Sequence, residues 1–321
     1  MNDKRVICVL GPTAVGKSDV AVDICLRYGG QVISADSMQI YRGMDIGTAK
    51  LNAQEQRGIQ HHLLDMVDPA TKFTVAQWQK AADEVIERLH SQHVLPVVCG
   101  GTGLYIRSIT DDLDFSTQPD TAAVREKWLD FAEKHGREAL HRALELRDVD
   151  SANRLHPNDV KRVVRALEIA ETSGKMMSTN YDWTPKSGRY QVLLIGLWME
   201  REALYKRVDK RVDMMVEAGL FDEVRALRDQ GITSAHTALQ AIGYKEIDAY
   251  FDGACTAQAA IEAIKRNTRR FVKRQLSWFR RDPRVQWFER TDDGDFAAGE
   301  NTRLWRIIEE FLEGKCEGTR E

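Results

Sequence analysis

Apolar positions along the chain follow two rhythms. Val6-Ile7-Cys8-Val9-Leu10 is an unbroken apolar run, which predicts a strand buried on both faces. A glycine-bearing turn follows, then helical spacing from Lys17 to Arg27 that Gly29-Gly30 terminates. Gln31 to Ser34 predicts a second strand, with Asp36 just past its end. Val75 to Gln92 predicts a helix whose apolar stripe is Trp78, Ala82, Val85 and Leu89. Val94 to Cys99 predicts a third strand, Gly100–Gly103 a turn into another helix, and Val192 to Met199 a fourth strand. Strands alternating with helices imply an α/β fold, a parallel sheet flanked by helices.

Over residues 115–189 the strand runs disappear and the pattern becomes helical and polar, closing in a Gly-, Ser-, Asn- and Pro-containing stretch from Thr172 to Gly188. This segment is expected to be a helical insertion domain, with residues 1–114 and 190–321 forming the core. From Arg201 to Phe279 the chain reads as helices stopped at Gly219, Gly231 and Gly253. The last forty or so residues offer no clear motif.

Composition narrows the classes. No apolar run is long enough for a membrane span or a signal peptide. The five cysteines are scattered without a Cys-x-x-Cys pair, which argues against a disulfide framework or a zinc knuckle and fits a reducing cytoplasm. With a net charge of −3, any surface for nucleic acid must be a local patch.

Gly11-Pro12-Thr13-Ala14-Val15-Gly16-Lys17-Ser18 satisfies G-x-x-x-x-G-K-[ST] between a buried strand and a helix, which makes the sheet P-loop NTPase-like. Glycines let successive N–H groups curl inward, and the helix beginning near Lys17 adds its positive end. Lys17 supplies charge, and the Ser18 hydroxyl is the expected protein ligand for Mg2+. Such a loop binds phosphates without naming the reaction, so kinases, hydrolases and diphosphate-leaving transferases all remain open.

Asp36 sits at a strand's carboxyl end, where ligands of open α/β sheets bind. It could organise a metal, act as a general base, or cap a helix. Tyr41–Lys50 reads as a long active-site loop. His61-His62 suit hydrogen bonding better than zinc. Thr102, in the second glycine turn, could contact an acceptor, or the turn could simply need small residues.

Lys265–Arg281 contains no acid, and Arg266, Arg269, Arg270 and Lys273 share one helical face while Val272, Leu276 and Phe279 form an apolar face. A polyanion would relieve that stripe, as would acids from elsewhere in the fold. A second cluster holds Arg154, His156, Lys161, Arg162 and Arg165 on a helix expected to be capped by Asn158. Arg207 and Arg211 lie one turn apart, and Arg211 could reach a diphosphate, although Asp209 and Asp213 interleave.

Together these stretches resemble the bacterial tRNA dimethylallyltransferase (tRNA isopentenyltransferase) family. The motifs carrying the resemblance are Gly11–Ser18, Asp36-Ser37-Met38-Gln39-Ile40-Tyr41, Met44-Asp45-Ile46-Gly47-Thr48-Ala49-Lys50 and His62-Leu63-Leu64-Asp65. Further on come Gly100–Tyr105, His156-Pro157-Asn158-Asp159, Arg165-Ala166-Leu167-Glu168, Ile242-Gly243-Tyr244 and Lys273-Arg274-Gln275 before Trp278. Leu51 departs from the family's usual proline, which affects only local loop geometry. The absence of the C-terminal zinc finger of eukaryotic relatives fits the bacterial type.

The resemblance implies transfer of a dimethylallyl group from its diphosphate to N6 of adenosine 37 in tRNA. Gly11–Ser18 would then hold the donor's diphosphate with Mg2+, and Arg211, from its helix position, is the further donor-binding candidate. Thr13, Lys17 and Asp36 would be catalytic, Asp36 as the base. The implied tRNA contacts are Asp36, Ser37, Met38, Gln39, Thr102, Arg125, Lys161, Arg162, Val163, Val164, Arg165, Gln240, Ala241, Ile242, Gly243, Tyr244 and Lys245, joined by Arg269, Arg270 and Lys273 of the basic stripe. The insertion would grip the anticodon stem-loop. A cytoplasmic monomer is expected. The alternatives are an ATP-using small-molecule kinase, a prenyltransferase of free adenylates, and an RNA-binding module without chemistry.

Overall fold

Six parallel strands form one sheet in the order β3-β2-β4-β1-β5-β6 in the computed structural model, which describes residues 4–111, 113, 122–173, 176, 177 and 188–315. The strands are β1 (Arg5–Leu10), β2 (Gly30–Ser34), β3 (His61–His62), β4 (Leu95–Gly100), β5 (Gln191–Met199) and β6 (Gln286–Arg290). The apolar run of β1 is explained by its neighbours: β4 and β5 pair with it on either side, and helices cover both faces. Val6, Cys8 and Leu10 enter one core cluster, and Ile7 and Val9 the other, the period of two that a strand imposes.

On one face lie α1 (Lys17–Tyr28) and α12 (Glu300–Leu312), with Ile24, Leu304 and Ile308 buried against the sheet. On the other lie α2 (Val75–Ser91), α3 (Gly103–Thr110), α9 (Leu220–Asp229) and α10 (Tyr244–Phe251). Trp78 of α2 is fully buried, stacks on Tyr105 at 4.4 Å and donates Nε1–H to the Ser34 carbonyl at 3.1 Å. This pins the end of β2 beside Asp36. Thr74 starts α2 with a capping box closed by Gln77. The helices α8 (Arg201–Glu217) and α11 (Ala257–Phe279) place residues in both clusters.

Residues group into two units, Met1–Asp112 with Pro185–Glu321, and Leu113–Thr184. The second unit contains α4 (Ala122–His135), α5 (Arg137–Glu145), α6 (Val149–Arg154) and α7 (Val160–Ser173) around its own core of Trp128, Leu140, Leu144, Val163 and Leu167. Most of the Thr172–Gly188 stretch lies outside the described residues. At the start of α7 the Arg162 N–H is accepted by Asp159 Oδ1 at 3.3 Å, so Asp159 rather than Asn158 does the capping. Among the described residues, no helix is long and apolar enough to cross a membrane.

Candidate active site

The Gly11–Ser18 loop takes its shape from backbone that only some residues tolerate. Gly11 has φ 143°, and a Cβ there would lie 2.5 Å from the Leu197 carbonyl of β5. Gly16 (φ 90°) begins α1 without a side-chain cap, leaving its first N–H groups for an anion. Lys17 Nζ donates to the Pro12 carbonyl at 2.7 Å, folding the ammonium back across the loop. Loss of hydration pulls Lys17 down to about 8, and Arg211 pushes the same way while Asp36 opposes. Behind the loop, Arg207 Nε donates to the Ala14 carbonyl at 3.1 Å.

The loop opens into a cavity of about 780 Å³. Thr13, Ala14, Gly16, Lys17 and Ser18 line it, as do Asp36, Gly100, Gly101 and the Asp45–Asn52 region. Gly11, Pro12 and Val15 do not line it. The Val15 side chain is buried in the core and anchors the loop from behind, so any contact with the donor would fall to its backbone N–H. From α8 come Arg207, Lys210, Arg211, Met214 and Met215, one helical face at i, i+3, i+4, i+7 and i+8. Burial lowers the Arg211 guanidinium, and Asp36, Glu55 and Asp19 act in the opposite direction. Cys99, beside Lys17, is pushed up to about 12 by burial and stays a neutral thiol.

Asp36 is held by its turn. Its Oδ1 accepts the Met38 N–H at 2.9 Å, leaving Oδ2 without that constraint at the cavity wall. Thr102 does not line the cavity; its hydroxyl accepts the Ser37 N–H at 3.0 Å, and its own N–H donates to the Ala35 carbonyl at 3.1 Å. Thr102 therefore braces the Asp36 turn from the second glycine turn. Gln39 reaches the cavity, but its amide already donates to the carbonyl of Thr48 at 3.1 Å.

Two residues to which sequence reasoning gave no role complete the frame. Glu223 of α9 accepts the N–H groups of Asp45, Ile46 and Gly47 at 2.8, 2.7 and 3.0 Å, fixing the loop that walls the cavity. Gln275 of α11 lies between the two glycine turns. Acidic residues at helix starts are common, so Glu223 carried no signal, and Gln275 stood out only as part of the Lys273-Arg274-Gln275 motif, with no role attached. Lys50 Nζ pairs with Asp45 at 2.7 Å and with Asp65.

Several residues expected to meet RNA are placed otherwise. Val163 and Val164 are 0% and 3% exposed in the core of the helical unit, so their side chains are structural. Tyr244 is also fully buried; its hydroxyl donates to Glu223, and burial together with that carboxylate raises its pKa. Gly243 is buried, Ala241 and Ile242 pack on the core, and Gln240 and Lys245 are exposed. Arg269 forms an ion pair with Asp209 of α8 at 2.5 Å, and Lys265 pairs with Asp213 at 2.7 Å, so the sequence alternative of internal acids holds for these two. Arg266, Arg270 and Lys273 remain on the exposed face. In the helical unit Arg125 and Arg165 share the fully buried carboxylate of Glu168 at 2.9 and 2.8 Å. Lys161 is exposed, and Arg162 pairs with Asp159 at 3.2 Å.

For Mg2+, no group of three His, Cys, Asp or Glu among the described residues forms a ready-made cage. Magnesium at phosphate sites takes few protein oxygens and completes its shell from substrate and water. The Ser18 hydroxyl and the Asp19 and Asp36 carboxylates on the cavity wall fit that requirement. His61 and His62 each make a hydrogen bond, to the Ile59 carbonyl and to Gln31.

A family model described as IPP transferase matches residues 39–282. A tRNA dimethylallyltransferase of Geobacillus kaustophilus is 47% identical over 295 residues, covering 92% of this chain and 93% of its own. One from Bacillus subtilis is 43% identical over 297 residues, covering 92% and 94%. Among solved structures, the full-length tRNA isopentenylpyrophosphate transferase of Bacillus halodurans superposes with a TM-score of 0.73 at 41% identity, over 97% of this chain and 98% of that one. A eukaryotic dimethylallyltransferase studied acting on tRNA gives 0.79 at 28% identity, over 97% and 80%.

Proposed function

The chain belongs to the IPP transferase family, and from that premise we propose that it prenylates tRNA, moving a dimethylallyl group from dimethylallyl diphosphate to N6 of adenosine 37 and releasing diphosphate. The observation that carries this is the polarity of the cavity along α8. Arg207, Lys210 and Arg211 stand on the side of the phosphate loop, and Met214, Met215 and Ala218 continue the same wall. A ligand with an anionic head and a short apolar tail fits that gradient. The kinase alternative gives no reason for thioethers there, and the free-adenylate alternative none for a separate helical unit.

The exocyclic amine of adenine is a poor nucleophile, and a stacked base cannot be alkylated, so the acceptor must turn out of the anticodon loop into the cavity. As the allylic C–O bond breaks, its electron pair leaves with the diphosphate. Lys17, Arg211 and the N–H groups at the start of α1 are aimed where that charge accumulates. A magnesium ion held by Ser18 with Asp19 or Asp36 would add charge at the same place. The N6 lone pair forms the new C–N bond, and the Asp36 carboxylate takes the N6 proton. The Lys161–Arg165 region of the helical unit and the exposed cations of α11 are the surfaces offered to the anticodon stem-loop. The expected working state is a monomer in the cytoplasm.

The test is direct. The protein is incubated with dimethylallyl diphosphate, Mg2+ and unmodified tRNA, and the nucleosides released by digestion are weighed. One adenosine per tRNA should carry a dimethylallyl group in place of hydrogen. Transfer to AMP but not tRNA, or ATP turnover without RNA, would overturn the reading.

A further inference from the structure

We propose that Gln275 is a positioning residue that fixes the spacing between the donor-binding loop and the acceptor-side turn; the proposal rests on the reading of this cavity as the prenylation site. Gln275 is 5% exposed, at the cavity margin. Its Oε1 accepts the Thr13 N–H at 3.0 Å, and its Nε2 donates to the Gly101 carbonyl at 3.0 Å. One planar amide thus joins the turns that follow β1 and β4.

The chain of contacts continues on the acceptor side. Gly101 is followed by Thr102, which accepts from the Ser37 N–H next to Asp36. The path Thr13–Gln275–Gly101–Thr102–Ser37 therefore links the phosphate loop to the residue preceded by the carboxylate. The packing is close. A Cβ at Gly101 would lie 2.2 Å from Gln275 Nε2, and one at Gly103 would lie 2.1 Å from the Trp278 ring. Both positions of the second turn need glycine because α11 rests directly on it. An amide suits the task because it offers one acceptor and one donor in a rigid plane without adding charge beside a diphosphate.

Reactions that join two bound substrates depend steeply on their relative placement, and a misplacement near 1 Å costs on the order of 10²-fold. Gln275→Leu and Gln275→Glu should therefore lower the single-turnover transfer rate at saturating donor and tRNA by roughly 10- to 100-fold. The dissociation constants of dimethylallyl diphosphate and tRNA, each measured alone, should stay close to wild type. A residue that merely supported folding would lower the urea midpoint and leave the rate per folded molecule unchanged.

Gly101→Ala supplies an independent test, since its methyl displaces the amide. It should slow transfer in the wild-type background and add little in a Gln275→Ala background, where the space is free. Saturated single-turnover rates that match wild type in both Gln275 variants, or additive losses in the double variant, would overturn the inference while leaving the prenylation reading intact. A wild-type protein that transfers nothing to tRNA would overturn both.

Discussion

The hydroxyl of Tyr244 donates to Glu223 Oε1 at 2.6 Å, and the Tyr244 ring occupies the space that a side chain at Gly47 would need. One carboxylate thereby receives a phenol and three backbone N–H groups of the cavity loop. Tyr244→Phe removes one donor and should cost about 1 kcal/mol. Glu223→Gln faces an amide NH2 towards backbone donors and should cost roughly 1–3 kcal/mol while loosening the donor site. Urea melts combined with titration of dimethylallyl diphosphate check both. An unchanged melt for Glu223→Gln would mean that the loop does not depend on this anchor.

Lys17 gives a pH signature. Burial holds it at about 8 in the free protein, against an ordinary value of 10.5. Below pH 8 the ammonium is present in folded and unfolded chains alike, and the folded state bears the full cost of its desolvation. That cost disappears as pH rises from about 8 towards 10.5, so stability from this source increases over the window. Donor binding runs the other way. A bound diphosphate favours the charged lysine, so above pH 8 binding should take up a proton and weaken as pH climbs. Calorimetry in buffers of different ionisation enthalpy reads the uptake. In Lys17→Arg, whose guanidinium stays charged, the component assigned to Lys17 should vanish. If wild type and Lys17→Arg show the same uptake, the assignment is wrong.

The sequence displayed the central strands because a parallel sheet covered on both faces demands continuous apolar runs, as in Val6–Leu10. It concealed β6, where Gln286 and Glu289 interrupt the pattern of an edge strand, and β3, which is two residues long. The phosphate loop and Asp36 were readable because their chemistry is local: a fixed spacing, or one residue after a strand. The roles of Glu223 and of Gln275, which closes the Lys273-Arg274-Gln275 motif, were not, because their partners lie about 177 and 262 positions away along the chain. Helical periodicity correctly grouped Arg269 with Arg270 and Lys273 but could not show that Asp209 on another helix neutralises only the first.

Asp36→Asn isolates the proposed base. The amide oxygen can still accept the Met38 N–H, so the turn should survive, yet the side chain can no longer take up a proton. Single-turnover transfer should fall by about 10²–10⁴-fold with both substrates still bound. Thr102→Val removes the acceptor for the Ser37 N–H and should give a milder loss, roughly tenfold, by letting the same turn drift. Near-normal turnover in Asp36→Asn would remove this carboxylate from the proton transfer.

Three of the four cations of the α11 stripe should separate by function. Arg270 and Lys273 are exposed on the face away from Val272 and Phe279, and a phosphate contact is the role open to them. Arg269 is bound to Asp209 by two contacts of 2.5 and 2.6 Å and ties α11 to α8. Arg270→Gln and Lys273→Gln should each weaken tRNA binding across all tRNAs and reduce the slope of log K against log salt by about 1. Arg269→Gln should leave that slope nearly unchanged and instead lower stability, since it strands the partly buried Asp209. Filter binding of unmodified tRNA at several salt concentrations, with thermal melts of the same variants, distinguishes the two. A reduced slope in Arg269→Gln with unaltered melting would return that residue to the RNA surface.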